Sequence, residues 1–272
     1  MVNPTVIRQR SQILFALREW FHQNGYMETH TPIYVPSGAL EENLTALPFG
    51  KGYLHTSPEF GMKKLLAAGL CRIYQIVPCF RGDEFGNWHS QEFTMLEWYR
   101  VGAGTQELIA DTIDVITCAA KAVEWDIPNI HFFPTSHFLS PSLPPEEWFY
   151  RWVDEVEPRL KDITIIYDYP TWQSALAKIK NNRADRFEVY INGVELANAF
   201  NEELDGEAIL KRWKESNANR MAKGNSPHPI DYPLIQSIST MPRCSGIAMG
   251  IDRLVMILTG VNSIQQTQLE VW

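Results

Sequence analysis

The chain of 272 residues can bury a large core, as one big domain or two small ones. With 45% hydrophobic and 21% charged residues, and no run near the roughly 18 apolar residues of a membrane span, it reads as a soluble globular protein. A formal net charge of −8 argues against a general nucleic-acid binder, which carries a basic stripe, and suits a cationic ligand or a basic protein partner. No basic-then-apolar leader opens the chain, so a cytoplasmic location is expected. The four cysteines (Cys71, Cys79, Cys118 and Cys244) lack CxxC spacing and are expected as buried free thiols rather than zinc ligands.

In chain order, Asn3-Pro4 reads as an N-cap and first helical position, followed by Ile13, Leu14, Leu17, Trp20 and Phe21 at helical spacing, with Gly25 as the stop. An extended segment punctuated by Pro32 and Pro36 comes next. Residues 54–68 then form a loop-to-helix unit opening on Thr56-Ser57-Pro58-Glu59, where Glu59 needs no role beyond the helix start. Cys71 to Arg81 is a strand, a polar loop follows, and a second strand carries Phe93, Glu97 and Tyr99 on one face by alternation. A helix is expected over Thr105–Val123 and an irregular connection over residues 125–150. Asn192-Gly193 marks a two-residue hairpin inside Arg186–Leu196. A polar helix over Glu207–Lys223 stops at Gly224. The strand with Gly246, Ala248 and Gly250 then leads into an apolar helix with Arg253 in its first turn.

Four constellations carry chemistry. Arg81 can grip a phosphate, with His89 in the loop and Phe93 offering a stacking face worth roughly 1–3 kcal/mol per base; a plain amphipathic hairpin explains the same pattern. Glu188 and Glu195 stand diagonal on one face of the hairpin, where two carboxylates repel unless a cation such as magnesium lies between them. Asn198, Phe200 and Glu202 alternate onto one face, with Glu202 suited to an ammonium. Strict alternation sets Glu195 and Asn198 on opposite faces, so either a bulge intervenes or one role is wrong. Small residues at 246–250 permit close backbone approach, and Arg253 at a helix start favours a phosphate.

Together these segments resemble the three signature motifs of class II aminoacyl-tRNA synthetases, of the lysine type. Pro32 matches the proline of motif 1, Arg81 the arginine of motif 2, and Arg253 that of motif 3 in GIAMGIDRL. ELANAFNEEL is similar to the lysine-enzyme signature ELANGF-x-EL, and EFTMLEWY to EFTM(M/L)E(F/W)Y. The match runs through nearly the whole chain in order. It implies an α+β fold, a six- or seven-stranded antiparallel sheet flanked by helices, as one catalytic domain over residues 1–272, with a homodimer formed partly through motif 1. The tRNA-charging lysine enzymes carry an N-terminal OB-fold that reads the anticodon, whereas this chain begins at the helix before motif 1. The resemblance therefore narrows to the free-standing paralogues that attach β-lysine to a lysine side chain of elongation factor P, and no tRNA partner is expected. Ser57 and Ala199 agree, since the tRNA-charging enzymes tend to have Ala and Gly there.

The resemblance further implies ATP and Mg²⁺, with Arg81 on the α-phosphate, Arg253 on the γ-phosphate, Glu188 and Glu195 on the metal, and Phe93 under the adenine. Glu202 and Tyr99 are expected on the side-chain ammonium, Glu59 and Glu97 near the second amino group, and Asn198, Phe200 and Gly246 around the ligand. Motif 2 usually has Glu two residues after its arginine; Asp83 stands there with Glu84 beside it, and either can contact the adenine. The Ser57 hydroxyl and the Ala199 methyl are expected to favour β- over α-lysine, by roughly 1–3 kcal/mol for a single steric change. A lysine enzyme serving tRNA or another carrier, and a non-catalytic subunit of the same fold, are the competing readings.

Overall fold

The computed structural model describes residues 3–268. Asn3 Oδ1 accepts the Thr5 N–H and Pro4 takes the first turn, so helix α1 (Pro4–Gln23) starts where capping chemistry places it. Its buried stripe is Val6, Ile13, Leu17 and Phe21. Then come strands β1 (Met27–Glu28), β2 (Tyr34–Val35), β3 (Pro48–Phe49) and β4 (Gly52–Leu54), helix α2 (Glu59–Ala67), and the long pair β5 (Arg72–Phe80) and β6 (Glu92–Val101). Helix α3 (Thr105–Lys121), strand β7 (Ile130–Pro134), helix α4 (Pro145–Arg151) and strand β8 (Ile163–Tyr169) follow. The last third holds β9 (Ile179–Lys180), β10 (Arg183–Ile191), β11 (Val194–Asn201), α5 (Gly206–Ala222), α6 (Tyr232–Ile238), β12 (Cys244–Gly250) and α7 (Ile251–Thr259).

The main sheet is larger than expected from sequence. It has nine strands in the order β1-β5-β6-β12-β11-β10-β8-β7, with β9 paired to β10. The six central strands are antiparallel, while β1 and β7 add in parallel at the two edges. Both edge strands are short, and parallel pairing needs a long connection, so neither leaves a local hairpin signal. Residues 125–150, expected to be irregular, hold β7 and open α4, around which Trp148 and Trp152 stack at 4.7 Å. Cys71 is exposed, contrary to the expectation of burial; Cys79 and Cys244 are buried, Cys118 is half-buried, and all four are free.

Register sorts the side chains onto two faces. Trp98, Ile247, Ala199 and Phe187 align across β6, β12, β11 and β10, and face the main core beneath α1, α3 and α7. The opposite face carries two rows. One runs Glu97, Ala248, Asn198, Glu188, and the next runs Tyr99, Gly246, Phe200, Arg186. The 192–193 hairpin has positive φ at both residues (49° and 83°), which suits a type I′ turn. It pairs Tyr190 with Glu195, but Val189 with Ala197, so Leu196 is an extra residue in β11. This bulge brings Glu195 onto the same face as Asn198 and decides the alternative the sequence left open.

Gly193 meets two demands at once: φ is positive, and an added Cβ would lie 2.7 Å from the Glu157 carbonyl oxygen. Gly193→Ala is expected to destabilise the fold by about 1–3 kcal/mol, read as a lower urea midpoint at unchanged slope. An unchanged midpoint would show that the hairpin does not bear on the 157 segment.

Candidate active site

One cavity of about 1700 Å³ opens over the polar face of the sheet. At one end Arg81, leaving β5, lies over the Phe93 ring with its guanidinium carbon 5.0 Å from the centroid. Among the described residues its Nε is buried without a partner, a donor open to an incoming anion. Glu84 sits 3.6 Å from Arg81 and 3.4 Å from His89. Asp83 instead accepts the Thr45 hydroxyl at 2.6 Å and lines no part of the cavity, so of the two candidates Glu84 is the one in place.

Arg253, in the first turn of α7, donates to the Glu195 carbonyl at 2.7 Å and the Trp88 carbonyl at 3.1 Å, and reaches His89 Nε2 at 2.8 Å. It therefore joins the 81–91 loop to β11. Burial and the Arg253 charge both hold the His89 pKa below its usual value. Asp252 fixes the helix start by accepting from Arg10 and from the Thr94 N–H, each at 2.6 Å.

Glu188 accepts from Arg186, from the Tyr169 hydroxyl at 2.5 Å and from the Tyr190 hydroxyl at 2.7 Å. Arg186 also donates to Asn198 Oδ1 at 2.9 Å and lies between the rings of Tyr169 and Phe200. The Glu195 carboxyl, enclosed by the cavity walls and repelled by Glu188, has its pKa raised. Glu157 feels the same two neighbours, and burial with their charge lifts it to about 7. Among the described residues no three His, Cys, Asp or Glu side chains form a metal site by themselves. Two crowded carboxylates beside arginines do fit a magnesium ion whose remaining ligands are phosphate oxygens.

The other end of the cavity is an acidic recess. Glu97 accepts the Ser57 hydroxyl on one oxygen and the Tyr99 hydroxyl on the other, both at 2.5 Å. Burial, then the charge of Glu59, raises its pKa to about 8 against the opposing hydrogen bonds. Glu202 is buried and lifted to about 7, chiefly by desolvation. Behind the wall, Lys63 Nζ lies 2.7 Å from both Glu59 and Glu202. The grouping differs from the sequence expectation: Tyr99 serves Glu97, while Glu202 is joined to Glu59. Gly246 lies against the Tyr99 ring, where a Cβ would overlap it.

One assignment is overturned. Ala199 is fully buried on the back face among Ile247, Phe187 and Trp98, so its methyl cannot touch a ligand in the cavity. Strand alternation carries this: Asn198 and Phe200 face the cavity, and the residue between them cannot. Three contributors were not singled out from sequence. Arg186 is two residues from Glu188 on one strand, and Lys63 is one helical turn from Glu59 beside buried Met62 and Leu66; both spacings were readable. Glu157 had no local signal, since only tertiary packing brings it to Glu195.

A sheet with an antiparallel centre and parallel edges, with a motif 2 arginine and a motif 3 arginine at one end of a cavity and a carboxylate recess at the other, defines a class II synthetase type of acid-activating domain. Residues 2–269 match the family model of the class II tRNA synthetases (D, K and N). The chain is also similar to proteins named elongation factor P–(R)-β-lysine ligase. That of Vibrio vulnificus is 35% identical over 96% of this chain and 93% of its own length. Those of Vibrio parahaemolyticus and Vibrio cholerae are 36% identical at the same coverage. The chain belongs to the class II tRNA synthetase family, in the group of these β-lysine ligases.

Glu97 holds its proton to about pH 8 in the folded chain and to about 4.5 when unfolded. Between those values the folded state binds more protons, so its contribution to stability is full below about 4.5 and lost as pH rises through about 8, at up to about 1.4 kcal/mol per unit. Glu97→Gln removes this loss. In urea titrations at a series of pH values, the variant should gain on the wild type across that window. A difference independent of pH would sink the placement of Glu97.

Proposed function

We propose that this protein activates a lysine-like diamino acid, (R)-β-lysine foremost, with ATP and transfers it to a lysine side chain of elongation factor P. The observation that carries the reading is the recess of Glu59, Glu97 and Glu202, suited to two ammonium groups, facing Arg81 and Arg253 across one cavity. The names and full-length similarity of the relatives support the acceptor.

In the first step the substrate carboxylate attacks the α-phosphorus of ATP and pyrophosphate leaves. Positioning and charge stabilisation do most of the work. Arg81 holds the α-phosphate, Arg253 with His89 the far phosphates, and Phe93 and Glu84 the adenine. Glu188 and Glu195 would hold magnesium, which neutralises phosphate charge when bound. The recess orients the amino groups, with the Ser57 and Tyr99 oxygens as further acceptors and Asn198 and Phe200 beside them. In the second step the neutral acceptor amine attacks the adenylate carbonyl, an amide forms and AMP leaves.

Exposed Met27 and Tyr34, on either side of Pro32 in the chain, and exposed Phe15 on α1 support a homodimer through motif 1. No described helix is long and apolar enough to cross a membrane. The reaction takes place in the cytoplasm, where elongation factor P is the acceptor and no tRNA takes part.

Elongation factor P incubated with the protein, ATP and (R)-β-lysine should gain the mass of one β-lysyl group. Intact amino-acid-dependent pyrophosphate exchange without that gain would reject this acceptor. Arg81→Ala should abolish the exchange, and retained exchange would reject its role. Glu202→Gln should raise the amino-acid KM about tenfold or more at unchanged KM for ATP. Equal losses for both substrates would instead mean a damaged fold.

A further inference from the structure

Lys63 is among the largest fully buried side chains of the protein, and its side chain is only 1% accessible. The neighbouring Lys64 is partly exposed and pairs with Asp231 at 2.6 Å, so the burial of Lys63 is a property of its position on α2. Its ammonium contacts Glu59 one turn back on the same helix and Glu202 just past β11. Both carboxylates line the cavity, whereas Lys63 does not. A buried ammonium is costly unless paired and hydrogen-bonded, and here two carboxylates compensate it.

Among the described residues, the charged or titratable groups facing this cluster are Glu59 from α2, Glu97 and Tyr99 from β6, Glu202 from the end of β11, Cys244 from β12, and Glu41 from the segment between β2 and β3, which repels Glu59 across the cavity. The three carboxylates of the recess against one cation leave two negative charges when all are ionised. Among the described residues, neither Glu202 oxygen has a partner apart from Lys63.

We propose that Lys63 is a positioning residue for substrate recognition: a fixed internal cation that holds Glu59 and Glu202 in place and leaves the recess with two uncompensated carboxylates, the complement of two ammonium groups. This rests on the reading that the recess takes a lysine-like diamino acid. Lys63 touches no substrate; it acts through the two glutamates. Without it Glu202, already raised by burial, keeps its proton at neutral pH and no longer attracts an ammonium.

The test is ATP–pyrophosphate exchange by the full chain with lysine and with (R)-β-lysine, from neutral to mildly alkaline pH. Lys63→Met should raise the amino-acid KM about tenfold at neutral pH. The gap should narrow as pH rises and Glu202 ionises, with the KM for ATP unchanged. Lys63→Arg, which keeps the charge, should recover most of the loss. In a Glu202→Gln background the Lys63→Met change should move KM clearly less than it does in the wild type, the remainder acting through Glu59, and this pair serves if the single variant does not fold.

An unchanged profile in Lys63→Met would overturn the proposal. So would a lower amino-acid KM, expected if Lys63 merely opposed the substrate's charge, or a parallel rise in both KM values at every pH. A tenfold effect persisting in the Glu202→Gln background would overturn it as well. Wild-type protein with no exchange dependent on either amino acid would overturn the underlying substrate reading, and this inference with it.

Discussion

One extra residue, Leu196, decides what the cavity contains. Tyr190 opposes Glu195 and Val189 opposes Ala197, so β11 gains a residue between its two polar sets. Without the bulge, alternation would turn either Glu195 or the Asn198, Phe200 and Glu202 set toward Trp98 and Phe187 in the core. A lone carboxylate there would lose its hydration and find no cation. The bulge instead brings both sets onto the face that carries Glu97 and Tyr99. Arg186 bonds Glu188 on one side and Asn198 on the other, tying the two ends of the cavity into one network.

That arrangement sorts donors and acceptors along the cavity. Arg81, Arg253 and His89 lie at one end, interleaved with Glu84, Glu188 and Glu195, and Glu59, Glu97 and Glu202 lie at the other. The arginines offer close-range donors to anionic oxygens, and the recess offers acceptors to ammonium groups. Burial, reinforced by the charge of Glu59, raises Glu97 to about 8 and Glu202 to about 7. Binding of ammonium groups must therefore displace protons, so recognition is linked to pH by the geometry of the recess.

Much of this was legible in the chain. Capping at Asn3-Pro4, the Asn192-Gly193 turn and the alternation of Phe93, Glu97 and Tyr99 are local signals, and each element lies where its signal put it. The edge strands β1 and β7 were missed because parallel pairing is non-local. The choice between Asp83 and Glu84 rested on the Thr45 hydroxyl, which comes from a distant segment. Lys63 was overlooked for another reason: a double lysine on a helix reads as solvated surface, and only its turn-spacing from Glu59, beside buried Met62 and Leu66, marks it as internal.

Ser57 and Ala199, the two positions the sequence reading singled out for discriminating β- from α-lysine, differ for a geometric reason. The Ser57 hydroxyl is in the recess and donates to Glu97, so it fixes the position of a carboxylate that faces the cavity and partly offsets the rise that burial causes in its pKa. Ala199 is one residue from Asn198 and one from Phe200, yet it belongs to the opposite face. A methyl there packs between Ile247 and Phe187 and can reach the ligand only by moving β11 itself, carrying Asn198 and Phe200 with it. Of this pair only Ser57 stands in the cavity, and Ala199 bears on the backbone that carries Asn198 and Phe200.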